Sequence, residues 1–143
     1  VALGGGGLIA GIATAAKALK PGVQVIGIEP YGAPTLHDSV AAGRLVTLDR
    51  IETKANTLAP RQSAAINLSL IRKFVDRILL VSDAEMLAAA RLLWFELGIA
   101  CELSAAAAVA ALLSGRYQAP AGARVCALVC GAGTDGIGQV SGA

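Results

Sequence analysis

Four consecutive glycines, Gly4 to Gly7, followed by Leu8, are the residues of this chain best suited to hold a charged ligand. They lie between a strand-like scrap, Val1–Leu3, and an apolar-periodic stretch, Leu8–Leu19, that reads as a helix. A glycine loop entering a helix offers unpaired backbone N–H groups, and the helix dipole adds positive potential. Glycines also let the backbone approach a ligand closely. A phosphate is the usual guest of such a loop, and the plainer reading is a tight turn that needs small residues. No Gly-Lys-Ser/Thr follows, so this is not a P-loop. Gly5-x-Gly7-x-x-Ala10 also fits a dinucleotide fingerprint, and Glu29 ends the next apolar run, where a ribose-binding acid belongs. On this local pattern an NAD-binding reading stays open.

The cysteines are Cys101, Cys126 and Cys130, and His37 is the only histidine. With no pair of close Cys-x-x-Cys ligands, no metal site is expected. Free thiols in a reducing cytoplasm are the simplest reading of an odd cysteine count. Cys130 opens the loop Cys130-Gly131-Ala132-Gly133 at the end of an apolar run, at a C-terminal strand edge where open α/β sheets bind ligands. Cys126, four residues earlier on the same face, is expected in the core. Glu102 precedes an Ala-rich helix and suits its dipole. His37 and the lysines, Lys54 among them, sit in contexts that read as solvated.

The elements that must position these residues alternate. Leu8–Leu19 is helical and stops at Lys20-Pro21-Gly22. Val23–Ile28 reads as a buried strand that Glu29-Pro30 breaks, and Ala33–Ala42 as a helix ending at Gly43. Ser63–Val75 has helical spacing, with Ile66, Leu70 and Phe74 on one face. Arg77–Val81 is a second buried strand. Ser82-Asp83-Ala84-Glu85 is a capping box that starts a helix over Asp83–Leu97, closed by Gly98. Leu103–Leu113 is an Ala-rich helix, and Arg124–Val129 a last buried strand. This order predicts an α/β fold with a parallel, doubly wound sheet, in one domain over residues 1–143.

Composition narrows the partners. The net charge is only +2, with no basic run and 3% aromatics, which argues against nucleic acid. The most apolar windows, Val1–Ala16 and Leu103–Gly115, are shorter than the roughly 20 residues of a membrane helix, so no membrane partner is expected.

Across the chain the motifs resemble the large domain of pyridoxal-phosphate enzymes of the tryptophan-synthase-β fold, most closely the threonine/serine dehydratase and serine racemase branch. The family's GGGGL-x-x-G loop is here Gly4-Gly5-Gly6-Gly7-Leu8-Ile9-Ala10-Gly11. Its Gly-hydrophobic-Glu-Pro turn is Gly27-Ile28-Glu29-Pro30, and its Val-Ser-Asp-x-Glu helix start is Val81-Ser82-Asp83-Ala84-Glu85. Its Glu-Pro-Ser-Gly-Ala-Ala segment is Glu102-Leu103-Ser104-Ala105-Ala106-Ala107, and its closing Ser/Cys-Gly-Gly-Asn is Cys130-Gly131-Ala132-Gly133. The NAD reading explains only the first two. The resemblance implies that Gly4, Gly5, Gly6, Gly7 and the Leu8 amide bind the phosphate of pyridoxal 5'-phosphate, and that Cys130 lies beside the pyridine nitrogen. A weak thiol partner there leaves the ring neutral, which suits β-elimination.

The resemblance also implies what is not here. The family's Schiff-base lysine and the residues that clamp the substrate carboxylate belong to its N-terminal half. No lysine of this chain falls in a matching motif, so no catalytic residue is assigned. The chain corresponds to the C-terminal half of the family unit, and a start at Val1 suggests a fragment, a processed product or a truncated gene. Members that bind a divalent ion carry an acid six residues after the Glu-Pro glutamate; Thr35 stands there. The family's Ala-Asp-Gly-Leu-Ala appears as Ala55-Asn56-Thr57-Leu58-Ala59. The expectation is a part of an amino-acid dehydratase that forms a 2-oxo acid and ammonia, inactive alone and homo-oligomeric through exposed apolar surface. The alternative is a non-catalytic domain that binds a phosphate ligand or serves structure alone.

Overall fold

The computed structural model describes residues 1–138. The last five residues of the expected 1–143 domain lie outside the described part. The elements run α1 (Gly7–Leu19), β1 (Ile26–Pro30), α2 (Thr35–Ala42), a 3-10 turn (Asn56–Leu58), α3 (Ala65–Phe74), β2 (Arg77–Val81), α4 (Asp83–Leu97) and α5 (Leu103–Leu113).

β1 and β2 pair in parallel, Ile26 opposite Arg77 through Pro30 opposite Val81. Ala2 makes a further parallel bridge to Ile28. The Leu3 amide donates to the Ile28 carbonyl at 2.8 Å, and the Ile28 amide to the Val1 carbonyl at 2.9 Å. The short Val1–Leu3 segment is therefore the neighbour of β1 on the side away from β2.

Successive strand residues point to opposite faces, and two cores follow from that alternation. Ala2, Ile28 and Val81 join α4, α5 and the 3-10 turn in one. Leu3, Ile9, Ala13 and Val25 join Leu36, Leu68 and Ile71 in the other, under α1, α2 and α3. Helices on both faces of a parallel sheet are the doubly wound arrangement expected from the sequence. α5 meets its core almost entirely through alanine: Ala105 to Ala108, Ala110 and Ala111 are all buried.

α4 begins as expected. The Ser82 hydroxyl accepts the Glu85 amide, while the Glu85 carboxylate accepts the Ser82 amide at 2.6 Å. Other expectations need correction. The first full strand runs through Glu29 and Pro30 rather than breaking there. α3 buries Leu68 and Ile71, and Ile66 is 67% exposed, so its core face lies one position away from the Ile66–Leu70–Phe74 stripe. β2 is only half-buried before Val81. Arg124–Val129 forms no strand and ranges from exposed to half-buried.

Candidate functional site

The glycine loop leaves the C-terminal end of the Val1–Leu3 segment and becomes the first turn of α1, with Gly6 as N-cap at φ 90°. That left-handed conformation favours glycine. The surroundings demand it as well: a Cβ on Gly6 would stand 2.7 Å from Leu36 and 2.9 Å from Ile71, and one on Gly4 would stand 2.6 Å from the Thr57 carbonyl. Gly5 and Gly7 differ, because nothing lies within 4 Å of a Cβ on either. The loop thus alternates between packed and open positions: Gly4 and Gly6 are buried, while Gly5, Gly7 and Leu8 are exposed.

The Gly5 carbonyl is pulled onto α3. The Ser63 hydroxyl donates to it at 2.8 Å and the Asn67 amide at 2.7 Å. Both contacts bridge about sixty positions of sequence, and no local pattern announces them. With the carbonyl held, the amides at the start of α1 lie where a helix leaves its N–H groups unpaired. No side chain caps that helix end. Buried glycines that fix the turn, exposed ones that leave its outer face bare, and an uncapped helix end together fit a phosphate group.

Glu29 is fully buried, and its two oxygens accept the Leu36 and His37 amides at 2.9 and 2.8 Å. Burial pushes its carboxyl up to about 8, against the pull of those two amides. It ties β1 to the N-terminus of α2. A ribose hydroxyl or a metal ion would have to displace these bonds. Thr35, at the position where an acid would complete a cation site, donates to the Pro60 carbonyl at 2.6 Å.

Cys130 is exposed, on an extended segment held at its far end. Cys101 pairs there with Ala132, and the Leu103 amide donates to Asp135 at 2.8 Å. Cys101 is buried, and burial raises its thiol. Cys126 is exposed, which corrects the core position expected for it: the segment that carries it never enters the sheet. Gly131 lies against Glu102, whose carboxylate would stand 2.6 Å from a Cβ there. Glu102 in turn accepts the Thr57 hydroxyl at 2.9 Å. Gly4, Thr57, Glu102 and Gly131 therefore form a continuous line between the loop and Cys130. Neither Thr57 nor Glu102 was assigned this linking role from sequence.

Lys17 pairs with Asp76 at 2.8 Å, and Lys54 is exposed.

A doubly wound α/β layer with a glycine loop at the C-terminal end of a strand has the arrangement in which such sheets bind ligands. Comparison with known proteins narrows the class: the chain belongs to the pyridoxal-phosphate dependent enzyme family, whose profile matches residues 1–131. It is 44% identical over 135 residues to a phenylserine dehydratase of Ralstonia pickettii, a match that covers 94% of this chain and 41% of that enzyme. It is 37% identical to an L-threonine ammonia-lyase of Geobacter sulfurreducens, covering 90% and 32%. Among solved structures it resembles the T.th. threonine deaminase, with TM-score 0.80 and 36% identity over 84% of this chain and 44% of that one. Maize serine racemase follows at TM-score 0.76 and 34% identity, covering 80% and 36%. The chain thus spans less than half the length of these relatives. Among the described residues no helix is long and apolar enough to cross a membrane.

Proposed function

We propose that this chain is one α/β domain of a pyridoxal-phosphate-dependent dehydratase of hydroxy-amino acids, and that it holds the cofactor by its phosphate. The observation that carries the reading is the Gly4–Leu8 loop, with two glycines fixed by packing, two facing open space, and an uncapped helix behind them. Gly4 to Gly7 and the Leu8 amide bind the phosphate. The α1 dipole favours its negative charge. Ser63 and Asn67 keep the Gly5 carbonyl turned away from it. Cys130 would stand beside the ring nitrogen, where a thiol is only a weak hydrogen-bond partner. When bound, pyridoxal phosphate supplies an electrophilic carbonyl carbon and a ring that stabilises charge at the substrate Cα.

The names of the relatives support β-elimination from a serine- or threonine-like substrate, giving a 2-oxo acid and ammonia. No lysine near the loop is placed to move a proton, so the chain alone is expected to bind and not to turn over. The three free thiols support a reducing, cytoplasmic setting. Exposed Phe95, Leu97 and Ile99 at the end of α4 support self-association.

Titration with pyridoxal phosphate, followed by cofactor fluorescence and by competition with inorganic phosphate, tests the reading. Saturable binding that phosphate displaces, with no 2-oxo acid released from serine or threonine, is the expected result. Tight NAD binding without pyridoxal-phosphate affinity would overturn it.

A further inference from the structure

Glu102 stands at the N-cap of α5, yet its side chain does not cap that helix. An N-cap side chain ordinarily accepts an amide of the first turn. Here the first-turn amide of Leu103 goes to Asp135 at 2.8 Å instead. The Glu102 carboxylate turns across to the 3-10 turn, where the Thr57 hydroxyl donates to Oε1 at 2.9 Å from 45 positions away in sequence. Thr57 also marks a departure from the resembled Ala-Asp-Gly-Leu-Ala segment, whose glycine has no hydroxyl to donate.

Both ends of this bond are anchored. Ala55 and Leu58, on either side of Thr57, are buried in the core shared with α4 and α5. The approach to the turn is tied to the start of α4: Asp83 accepts the Thr53 hydroxyl and the Lys54 amide, the latter at 2.7 Å. At the other end the Glu102 carbonyl accepts the Ala105 and Ala106 amides of α5 at 3.1 and 3.2 Å. A hydroxyl–carboxylate bond is charge-assisted, and between two anchored points it acts as a brace. The loop after Cys130 is folded onto that brace. A Cβ on Gly131 would stand 2.6 Å from Oε1, the same oxygen that Thr57 holds. One on Gly133 would stand 2.7 Å from the Glu102 backbone nitrogen, and the Gly133 amide donates to the Ala100 carbonyl at 3.4 Å. Only glycine permits approach this close at both positions.

We propose that Thr57 and Glu102 are positioning residues whose bond fixes where Cys130 stands relative to the Gly4–Gly7 loop. Thr57 serves both ends at once. Its carbonyl leaves no room for a Cβ on Gly4, and its hydroxyl holds the carboxylate oxygen against which Gly131 lies. The spacing between the two ends of the site is therefore referred to one residue of the 3-10 turn. When the bond is lost, the carboxylate is free to rotate toward solvent, and the backbone next to Cys130 loses its backing. What that spacing means for a cofactor rests on the proposed function. The brace itself rests on the geometry alone.

The test compares Thr57→Val, which removes the donor and keeps the backbone carbonyl, with Thr57→Ser, which restores the donor. With no cofactor added, two readouts follow the loop: hydrogen exchange at the Gly133 amide, and alkylation of Cys130 against the exposed Cys126 as internal standard. Thr57→Val is expected to speed both by about threefold or more. Because Thr57 is exposed, its melting temperature should stay within about 2 °C of the wild type. Thr57→Ser should return both rates to the wild-type value. Glu102→Ala should reproduce Thr57→Val, and the double variant should add nothing further. With pyridoxal phosphate bound, Thr57→Val should shift the cofactor absorbance and Thr57→Ser should not. Affinity for inorganic phosphate should stay within about twofold, because the carbonyl beside Gly4 is kept. Unchanged exchange and alkylation in Thr57→Val would overturn the proposal. So would a serine variant that fails to restore them, or single-variant effects that add in full. Failure of every variant to bind pyridoxal phosphate would count against the cofactor reading alone, since exchange and alkylation decide the brace without it.

Discussion

The Gly4–Leu8 loop and the Cys130 segment are assigned opposite ends of one ligand, yet the chain supports them unequally. The loop is enclosed on three sides: Ser63 and Asn67 hold the Gly5 carbonyl, Leu36 and Ile71 leave no room for a Cβ on Gly6, and the Thr57 carbonyl leaves none on Gly4. Cys130 is held by less: the Cys101–Ala132 bridge and the Asp135 contact downstream, and the half-buried Val129 upstream. The difference is one of sheet position. The loop grows from a segment already bonded to β1, whereas Cys130 ends a segment that forms no strand among the described residues. A cradle built from backbone amides can be completed by nearby helices. A side chain meant to meet a ring atom needs its strand fixed in register.

The sharpest way to break this contrast is substitution within the loop. Gly6→Ala combines a left-handed φ with contacts under 3 Å, and is expected to cost about 2–4 kcal/mol in a denaturant melt. Gly5→Ala, open on its outer side, should leave the melt within about 0.5 kcal/mol and lower pyridoxal-phosphate affinity about tenfold. If both variants melt alike, the loop is not clamped as described.

Glu29 gives the clamped side a pH signature. Its carboxyl is raised in the folded state from 4.5 to about 8, so the native protein binds the extra proton. Its contribution to stability is then fully present below about pH 4.5 and declines as pH rises through about 8. Chemical denaturation from pH 5 to pH 9 should show this decline, on the order of a few kcal/mol. Glu29→Gln should flatten it. A wild-type profile as flat as the variant's would remove Glu29 as a titrating strut.

Smaller effects sharpen the comparison. Ser63→Ala and Asn67→Ala each remove one donor to Gly5 and should cost about 1 kcal/mol. They should also speed hydrogen exchange at Gly5 to Leu8. Cys130→Ser should change stability by less than about 0.5 kcal/mol, because the thiol is exposed. Its effect should be confined to the absorbance of bound cofactor.

Much of the clamped side was legible in the sequence. α1 follows from its apolar period, α4 from the Ser82–Glu85 box, and the two-faced sheet from alternation of helices with β-rich runs. What escaped were contacts between distant positions. Nothing local to Ser63 or Asn67 points to Gly5, and nothing local to Thr57 points to Glu102. Glu29 reads as a strand breaker because a charged residue followed by proline seldom stays in a strand. It stays because two α2 amides donate to its carboxylate, which caps their helix. Arg124–Val129 shows the converse. Its composition is that of a buried strand, but pairing needs a neighbour, and hydropathy does not supply one. Cys126 was misplaced with it.

The alanine face of α5 carries a mechanical consequence. A helix that meets its sheet mostly through methyl groups sits close to the backbone beneath it and has few rotamers to rearrange. It behaves as a stiff plate behind the site. Residues 118–131, which join that plate to Cys130, are exposed or half-buried and form no helix or strand, so they are the softer part of the join. Any adjustment between the glycine loop and Cys130 is then expected in that softer stretch rather than in the plate.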